Sequence, residues 1–272
     1  MIKSLVRTGI LPLMIVLAFA SCKKMKPGKP TPVTETEEVE KPAVVIPPKK
    51  KNMLPVKITT SDLTVDLVYM ENTALITEMK FSGGIVYLMT YADNVLKKLQ
   101  KYKDKVNSQS VDYLIANGQI TRASRFDISG QRSTPTEKYY LTYNTSSQIN
   151  NIKTYAVSGS LLTDNTLGYQ ANGNLLSSAV TASGSVSDYN YSYDIKNNIF
   201  QSVLFCQLLR IEINEVFLNP GINNILSFTN PKLLTEHVAY EYLYGTDDYP
   251  TEVRIKHSGI SKTYKITYTE LK

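Results

Sequence analysis

The chain has 272 residues, 42% of them hydrophobic and 10% aromatic, with 30 basic and 24 acidic side chains and a net charge of +6. That excess is confined to the start: residues 1–55 hold 10 basic and 4 acidic side chains, which leaves 20 of each beyond them. A folded part without net charge lacks the basic footprint of a nucleic-acid binder, so no nucleic-acid partner is expected.

Residues 1–21 read as a signal peptide. Lys3 and Arg7 make a basic n-region, and residues 10–20 form an apolar core shorter than the roughly 20 residues of a membrane span. The run Leu17-Ala18-Phe19-Ala20-Ser21-Cys22 then resembles the lipobox of bacterial lipoproteins, with Phe19 where Leu is usual. The resemblance implies that Cys22 is lipidated, becomes the new N-terminus and binds the protein to membrane lipid. Each buried CH₂ contributes roughly 0.8 kcal/mol, so one acyl chain holds marginally and several hold firmly. Lys23, in place of an Asp, implies the outer membrane, and the basic run Lys23-Lys24-Met25-Lys26 favours its periplasmic face over the cell surface.

Residues 22–55 form the lipidated cysteine and a tether rich in Pro, Lys and Glu. Pro27, Pro30, Pro32, Pro42, Pro47 and Pro48 exclude helix and sheet ladders, and the polar residues between them cannot bury a core. Such a spacer prefers extended polyproline II, at about 3.1 Å per residue.

Residues 56–272 read as a Tyr-rich β-repeat domain. The chain has 19 Tyr and no Trp, and every Tyr lies at or beyond Tyr69. Segments led by Tyr91, Tyr113, Tyr143, Tyr169, Tyr193 and Tyr244 share a pattern of Tyr-containing strand, polar turn and apolar strand. Their leads are spaced by 22, 30, 26, 24 and 51 residues, a period that argues for stacked supersecondary units with one degenerate or replaced. Asn117-Gly118 and Asn172-Gly173 are strong hairpin signals, because both central residues of a type I′ turn need positive φ. Asn197-Asn198 and Asp247-Asp248 are weaker ones. Tyr189, Tyr191 and Tyr193 alternate with polar residues, as do Tyr240, Tyr242 and Tyr244 with Glu241 and Leu243, which is the period of a strand. Tyrosine suits a half-wet sheet face, where the ring packs and the hydroxyl stays hydrated.

Asp93–Lys105 has apolar residues at helical spacing, but it begins with the repeat pattern and is expected as strand. The segment 200–218 differs: Phe200, Leu204, Leu208 and Ile211 share a helical face, and Asn219-Pro220-Gly221 ends it. It is expected as one short helical insertion covering an open end of the sheet, which also accounts for the long gap before Tyr244. Within it Cys206 has no cysteine to pair with once Cys22 is lipidated, and reads as a buried inert thiol.

The fold expected is therefore all-β: a strongly curved antiparallel meander of repeated β-hairpins, with closure into a barrel left open. The succession Tyr191-Ser-Tyr-Asp-Ile-Lys-Asn-Asn-Ile-Phe200, Asn223-Asn-Ile225, Tyr240-Glu-Tyr242, Tyr249-Pro250 and Tyr264-Lys-Ile-Thr-Tyr268 resembles uncharacterised tyrosine-repeat lipoproteins of Bacteroidota, and more distantly the Rhs/YD repeat. The resemblance implies a curved sheet and carries no assigned activity.

Reactive machinery is sparse. His237 and His257 have no metal-binding motif around them, so no metal or cofactor is expected. Glu212 and Glu215 lie one helical turn apart and read as a solvated face, Glu236 and His237 point to opposite faces of a strand, and Asp247-Asp248 reads as turn chemistry. No catalytic residue is assigned, and the chain is expected not to be an enzyme. Three functions follow in order: a lipid-anchored envelope protein that binds a glycan, lipid or protein ligand or serves as scaffold; a glycan hydrolase using paired carboxylates; and an outer-membrane barrel, which needs an uncharged lipid-facing band.

Overall fold

The computed structural model describes residues 51–271, apart from Asn214, Pro220 and the side chains of Leu234 and Thr235. The signal peptide, Cys22 and nearly all of the tether lie outside the described residues. Sixteen strands run antiparallel in sequence order and close on themselves as a barrel. The first are β1 (Met53–Thr59), β2 (Thr64–Tyr69), β3 (Ile76–Phe81), β4 (Ile85–Ala92), β5 (Val95–Lys103) and β6 (Val106–Ala116). β7 (Gln119–Ser129), β8 (Arg132–Tyr143), β9 (Ile149–Ala156), β10 (Leu161–Tyr169), β11 (Leu175–Ala182) and β12 (Ser185–Asn197) continue the meander. An insertion carrying α1 (Cys206–Ile213) precedes β13 (Asn223–Asn230), β14 (Leu233–Tyr244), β15 (Pro250–His257) and β16 (Ile260–Glu270). β16 pairs with β1 from Met53↔Glu270 to Thr59↔Lys265 and seals the ring. The barrel thus starts slightly ahead of the expected boundary at 56. Asp93–Lys105 holds β5, a strand as expected.

Antiparallel order puts both ends of the barrel chain, and every even-to-odd turn, at one end, called here the terminal end. The odd-to-even turns lie at the distal end. Asn117-Gly118 has φ of 52° and 76°, the double left-handed geometry of a type I′ turn. Asp93-Asn94, Asp104-Lys105, Ser183-Gly184 and Ser258-Gly259 repeat it without the favoured Asn-Gly pair. Two expected turns are different. Asn172-Gly173 sits in a longer loop where only Gly173 has positive φ, closed by the Gln170 N–H on the Asn174 carbonyl at 2.8 Å. Asn197-Asn198 is no turn: Asn197 ends β12 and Asn198 opens the insertion.

Strand alternation decides which face is dry. In β2, Val65 and Leu67 point inward and are buried, while Thr64 and Asp66 face out. The register carries this round the wall: Leu67 pairs with Met79, Met79 with Tyr87, Met89 with Leu99 and Leu99 with Val111, all buried. Outward residues are charged at mid-strand and pair across strands, as in Lys57–Asp66 at 3.6 Å, Lys98–Asp112 at 3.2 Å and Lys153–Asp164 at 3.4 Å. Glu241 on β14 meets both Arg254 and Lys256 on β15. Exposed pairs of this kind each contribute about 0–1 kcal/mol. Their value here is diagnostic: at mid-strand the inner face is mainly apolar and the outer face carries charge, while Leu114, Leu176 and Leu243 are exposed nearer the terminal end.

The repeat behind the tyrosine pattern is now physical. Near the end of each of six even strands a tyrosine turns inward and donates its hydroxyl to a backbone carbonyl at the start of the preceding odd strand. The pairs are Tyr69–Pro55 (2.8 Å), Tyr91–Ile76 (2.6 Å), Tyr143–Ile120 (2.7 Å), Tyr169–Ile149 (2.7 Å), Tyr242–Ile225 (2.8 Å) and Tyr268–Pro250 (2.9 Å). In β2, β4, β8 and β10 the ladder with the following strand slips by one residue immediately before the tyrosine. Such a bulge bends the strand and aims the ring at the carbonyl. These hydroxyls are engaged inside the wall, whereas the sequence suggested they would stay hydrated.

Candidate functional site: the plugged interior

A sixteen-stranded ring is too wide to be filled by its own inward side chains. The insertion between β12 and β13 fills it. Rather than capping an open sheet, as expected from the sequence, this segment folds inward from the terminal end and joins the core through Phe200, Val203, Cys206, Leu208, Leu209, Ile213, Phe217 and Leu218. Phe205 packs on Tyr91 of β4 with ring centroids 6.2 Å apart, and Phe217 meets Tyr264 of β16 at 5.7 Å. Strands a quarter of the ring apart therefore grip one plug.

Asparagines clamp both roots of that plug. Asn174, fully buried in the loop after β10, accepts the backbone N–H groups of Ile222 and Asn223 at 3.0 Å each. Asn198 accepts the Phe200 N–H at 2.7 Å and donates to the Asn223 carbonyl at 3.1 Å. Asn224 donates to the Asn197 carbonyl at 2.8 Å. Short side-chain amides suit this position because one residue can offer both donor and acceptor to an irregular backbone.

Deeper in, Arg125 of β7 ties the plug to the wall. Its Nε and Nη2 both donate to Glu212 Oε2, at 3.2 and 2.7 Å, and its Nη1 donates to Glu137 Oε2 of β8 at 2.7 Å. The Tyr139 hydroxyl donates to the same Glu137 oxygen at 2.8 Å, and the guanidinium lies 5.2 Å from the centre of the Tyr139 ring. The Glu212 side chain is only 2% exposed, so the reading of Glu212 as part of a solvated face is wrong. Burial raises its carboxyl above the ordinary value, against the pull of Arg125. Glu215 lies beyond the end of α1 and does not share a face with it. Glu236 accepts from Tyr189 at 2.9 Å and from Asn230 at 3.0 Å, while its neighbour His237 is exposed. Asp248 lies in the turn after β14, as expected, with φ of 61°. Cys206 is buried and its thiol is pushed up to about 12 by desolvation, which makes it unreactive at neutral pH.

Two cavities remain between plug and wall. One, of about 590 Å³, lies towards the terminal end among Ile120, Ile149, Phe200, Phe205 and Ile222, with Gln119, Gln148, Gln201 and Gln207 among its polar lining and no charged residue. The other, of about 400 Å³, lies on the far side of Gln207 and Leu175, which border both. Its lining is mixed: Ile152, Leu167 and Val180 are apolar, Tyr189, Tyr191 and Phe228 are aromatic, and Thr154, Thr163, Asn165 and Ser178 are neutral and polar. Arg210 of α1 is its one charged residue. Glu137 and Glu212 border neither cavity.

Comparison with known proteins adds a likeness of fold. No family model matches the chain, and no curated protein does. Among solved structures, a porin-like protein from Bacteroides uniformis superposes with a TM-score of 0.54 at 16% identity, over 81% of this chain and 97% of that one. The likeness is one of fold. It supports a closed β-barrel as the architecture and assigns no activity to the residues above. Sequence reasoning missed Arg125, Arg210 and Asn165, since nothing local marks an arginine or an amide that faces inward from the wall or the plug.

Proposed function

We propose that this protein is a non-catalytic binding barrel of the outer membrane, held by lipid on Cys22, with its wall in water and its ligand site in the plugged interior. The observation that carries this reading is the charge on the outward face. Lys98, Lys153, Arg254 and Lys265 sit at or near mid-strand, where each Lys or Arg facing lipid in a spanning barrel costs about 2–4 kcal/mol. Four such residues oppose placement of this surface in lipid. An interior filled by a packed plug is likewise unlike a water-filled pore.

A membrane-spanning barrel is the second reading, and two observations favour it: the ring closes, and the solved neighbour is described as porin-like. Fractionation separates the two. With Cys22→Ala, the wall-in-water reading expects the protein to move from the envelope pellet to the soluble fraction and to stay monodisperse without detergent. Retention of the variant in the pellet after alkaline carbonate washing would reverse the order of the two readings. A carboxylate hydrolase is less well supported, because Glu137 and Glu212 both spend an oxygen on Arg125 and face no cavity.

A further inference from the structure

The two arginines that face the interior differ in one respect. Arg125 meets two carboxylates and a tyrosine ring. Arg210 makes no hydrogen bond, ion pair or ring contact with any described residue, although it is only partly exposed and borders the 400 Å³ cavity. A partly exposed guanidinium with no protein carboxylate beside it can take an anion from solution in a charge-assisted bond. Around it stand further groups with unused capacity. The Asn165 Oδ1 is buried with no hydrogen-bond partner, and the Ser178 and Tyr191 hydroxyls bond only each other, at 2.9 Å. Thr154 and Thr163 complete the polar side, and the rings of Tyr189, Tyr191 and Phe228 make the other. The nearby carboxylate of Glu236 is already occupied by Tyr189 and Asn230.

We infer that this cavity binds a small hydroxylated carboxylate, an acidic sugar, with its carboxylate on Arg210 and a hydroxyl on Asn165. The inference rests on the reading of the interior as a binding chamber. Each element of the lining selects for part of that ligand. Arginine presents a planar fork that matches a carboxylate in two parallel bonds. The neutral polar wall of Thr154, Thr163 and Asn165 suits sugar hydroxyls, which a simple fatty acid lacks. Aromatic faces cover the apolar C–H side of a sugar ring. A dianionic phosphate fits less well, because Arg210 lies in the last turn of α1, where the helix presents its negative end. A volume near 400 Å³ stands at the lower end of the range for small-molecule sites, about 300–1,000 Å³. Towards the distal end, the inward positions next to the lining include the small Ala156, Ala182 and Ser187.

The test is ligand-observed saturation-transfer NMR on the full mature protein, with sodium galacturonate, galactose, acetate and inorganic phosphate as probes. Galacturonate is expected to receive saturation, and each of the other three to bind at least about tenfold more weakly, the order of one charge-assisted or neutral hydrogen bond. Arg210→Gln should weaken galacturonate by about tenfold or more and leave galactose unchanged. Arg210→Lys keeps the charge without the fork and should recover part of the loss; it serves as the reading should the glutamine variant not fold. Asn165→Leu should weaken galacturonate and spare acetate. Equal binding of galactose and galacturonate, preference for phosphate, or galacturonate binding indifferent to both Arg210 variants would each overturn the acidic-sugar assignment while leaving an interior binding chamber in place. Failure of every probe to bind overturns it too, and the Cys22→Ala fractionation then judges the broader reading by itself.

Discussion

Tyr113 and Tyr143 both point into the barrel, yet their hydroxyls meet different fates. Tyr143 donates to the Ile120 carbonyl at 2.7 Å, whereas the Tyr113 hydroxyl is buried without a partner because the chain places Ile115, not tyrosine, at the bulge of β6. Tyr193 lies towards Leu175 in the manner of the six bonded tyrosines, with its hydroxyl outside bonding geometry. A buried donor without an acceptor costs about 1–3 kcal/mol, and a made bond contributes about 0.5–1.5. Tyr113→Phe is therefore expected to stabilise the protein by about 1 kcal/mol and Tyr143→Phe to destabilise it by about as much. Urea midpoints at unchanged slope would check both, and equal shifts of one sign would refute the assignment. The sequence showed that tyrosines recur, and that they alternate as strands do. It could not show which hydroxyls find a carbonyl, since that depends on a one-residue slip against the next strand.

At the level of elements, α1 carries the clearest pH dependence. Desolvation raises the Glu212 carboxyl above its ordinary value of 4.5, so the folded chain holds that proton more tightly than the unfolded chain does. As pH rises from about 4.5 through the raised value, Glu212 must ionise inside the barrel, and its contribution to stability falls. Glu212→Gln has no proton to lose and should flatten that part of the stability profile, measured as the urea midpoint against pH. A variant that keeps the wild-type slope would place the titration elsewhere. Helical spacing pointed to the insertion, and its length explained the wide gap in the tyrosine series, but of the four residues expected on one helical face only Leu208 and Ile211 lie in α1, while Phe200 and Leu204 precede it. Its depth was not legible. A pair of glutamates one turn apart looks the same whether it faces water or an arginine 87 residues away along the chain. Turns read unevenly for a similar reason. Asn117-Gly118 announces itself, while Asp104-Lys105 reaches the same φ only because the flanking strands demand it. At Gly118, where φ is 76°, Gly118→Val should cost on the order of 1–2 kcal/mol, a larger loss than at an exposed site of ordinary φ, read as a fall in melting temperature.

For the whole molecule, the same burial that engages the tyrosines delays their ionisation. Desolvation pushes Tyr87 and Tyr264 up to about 12, and raises Tyr69, Tyr91, Tyr242 and Tyr268 further. Above pH 10 the unfolded chain sheds phenolic protons that the folded chain keeps, so stability declines with each further rise in pH. Tyrosinate absorbance from these buried residues is expected to appear in step with loss of the β-sheet circular-dichroism signal. Complete ionisation of all 19 tyrosines with the sheet intact would contradict the packing described here. Closure, like depth, was beyond local pattern. Hairpins of this kind also build open sheets, and it is strand number, tilt and stagger together that bring the last edge to the first. That final joining governs how the molecule must assemble. The strand that leaves the ribosome early, β1, waits with one edge unpaired until the C-terminal strand arrives, a contact between the most distant parts of the domain and hence a slow one. By then the insertion has already been made and must already be housed, for a shut ring offers no gap through which it could be threaded afterwards.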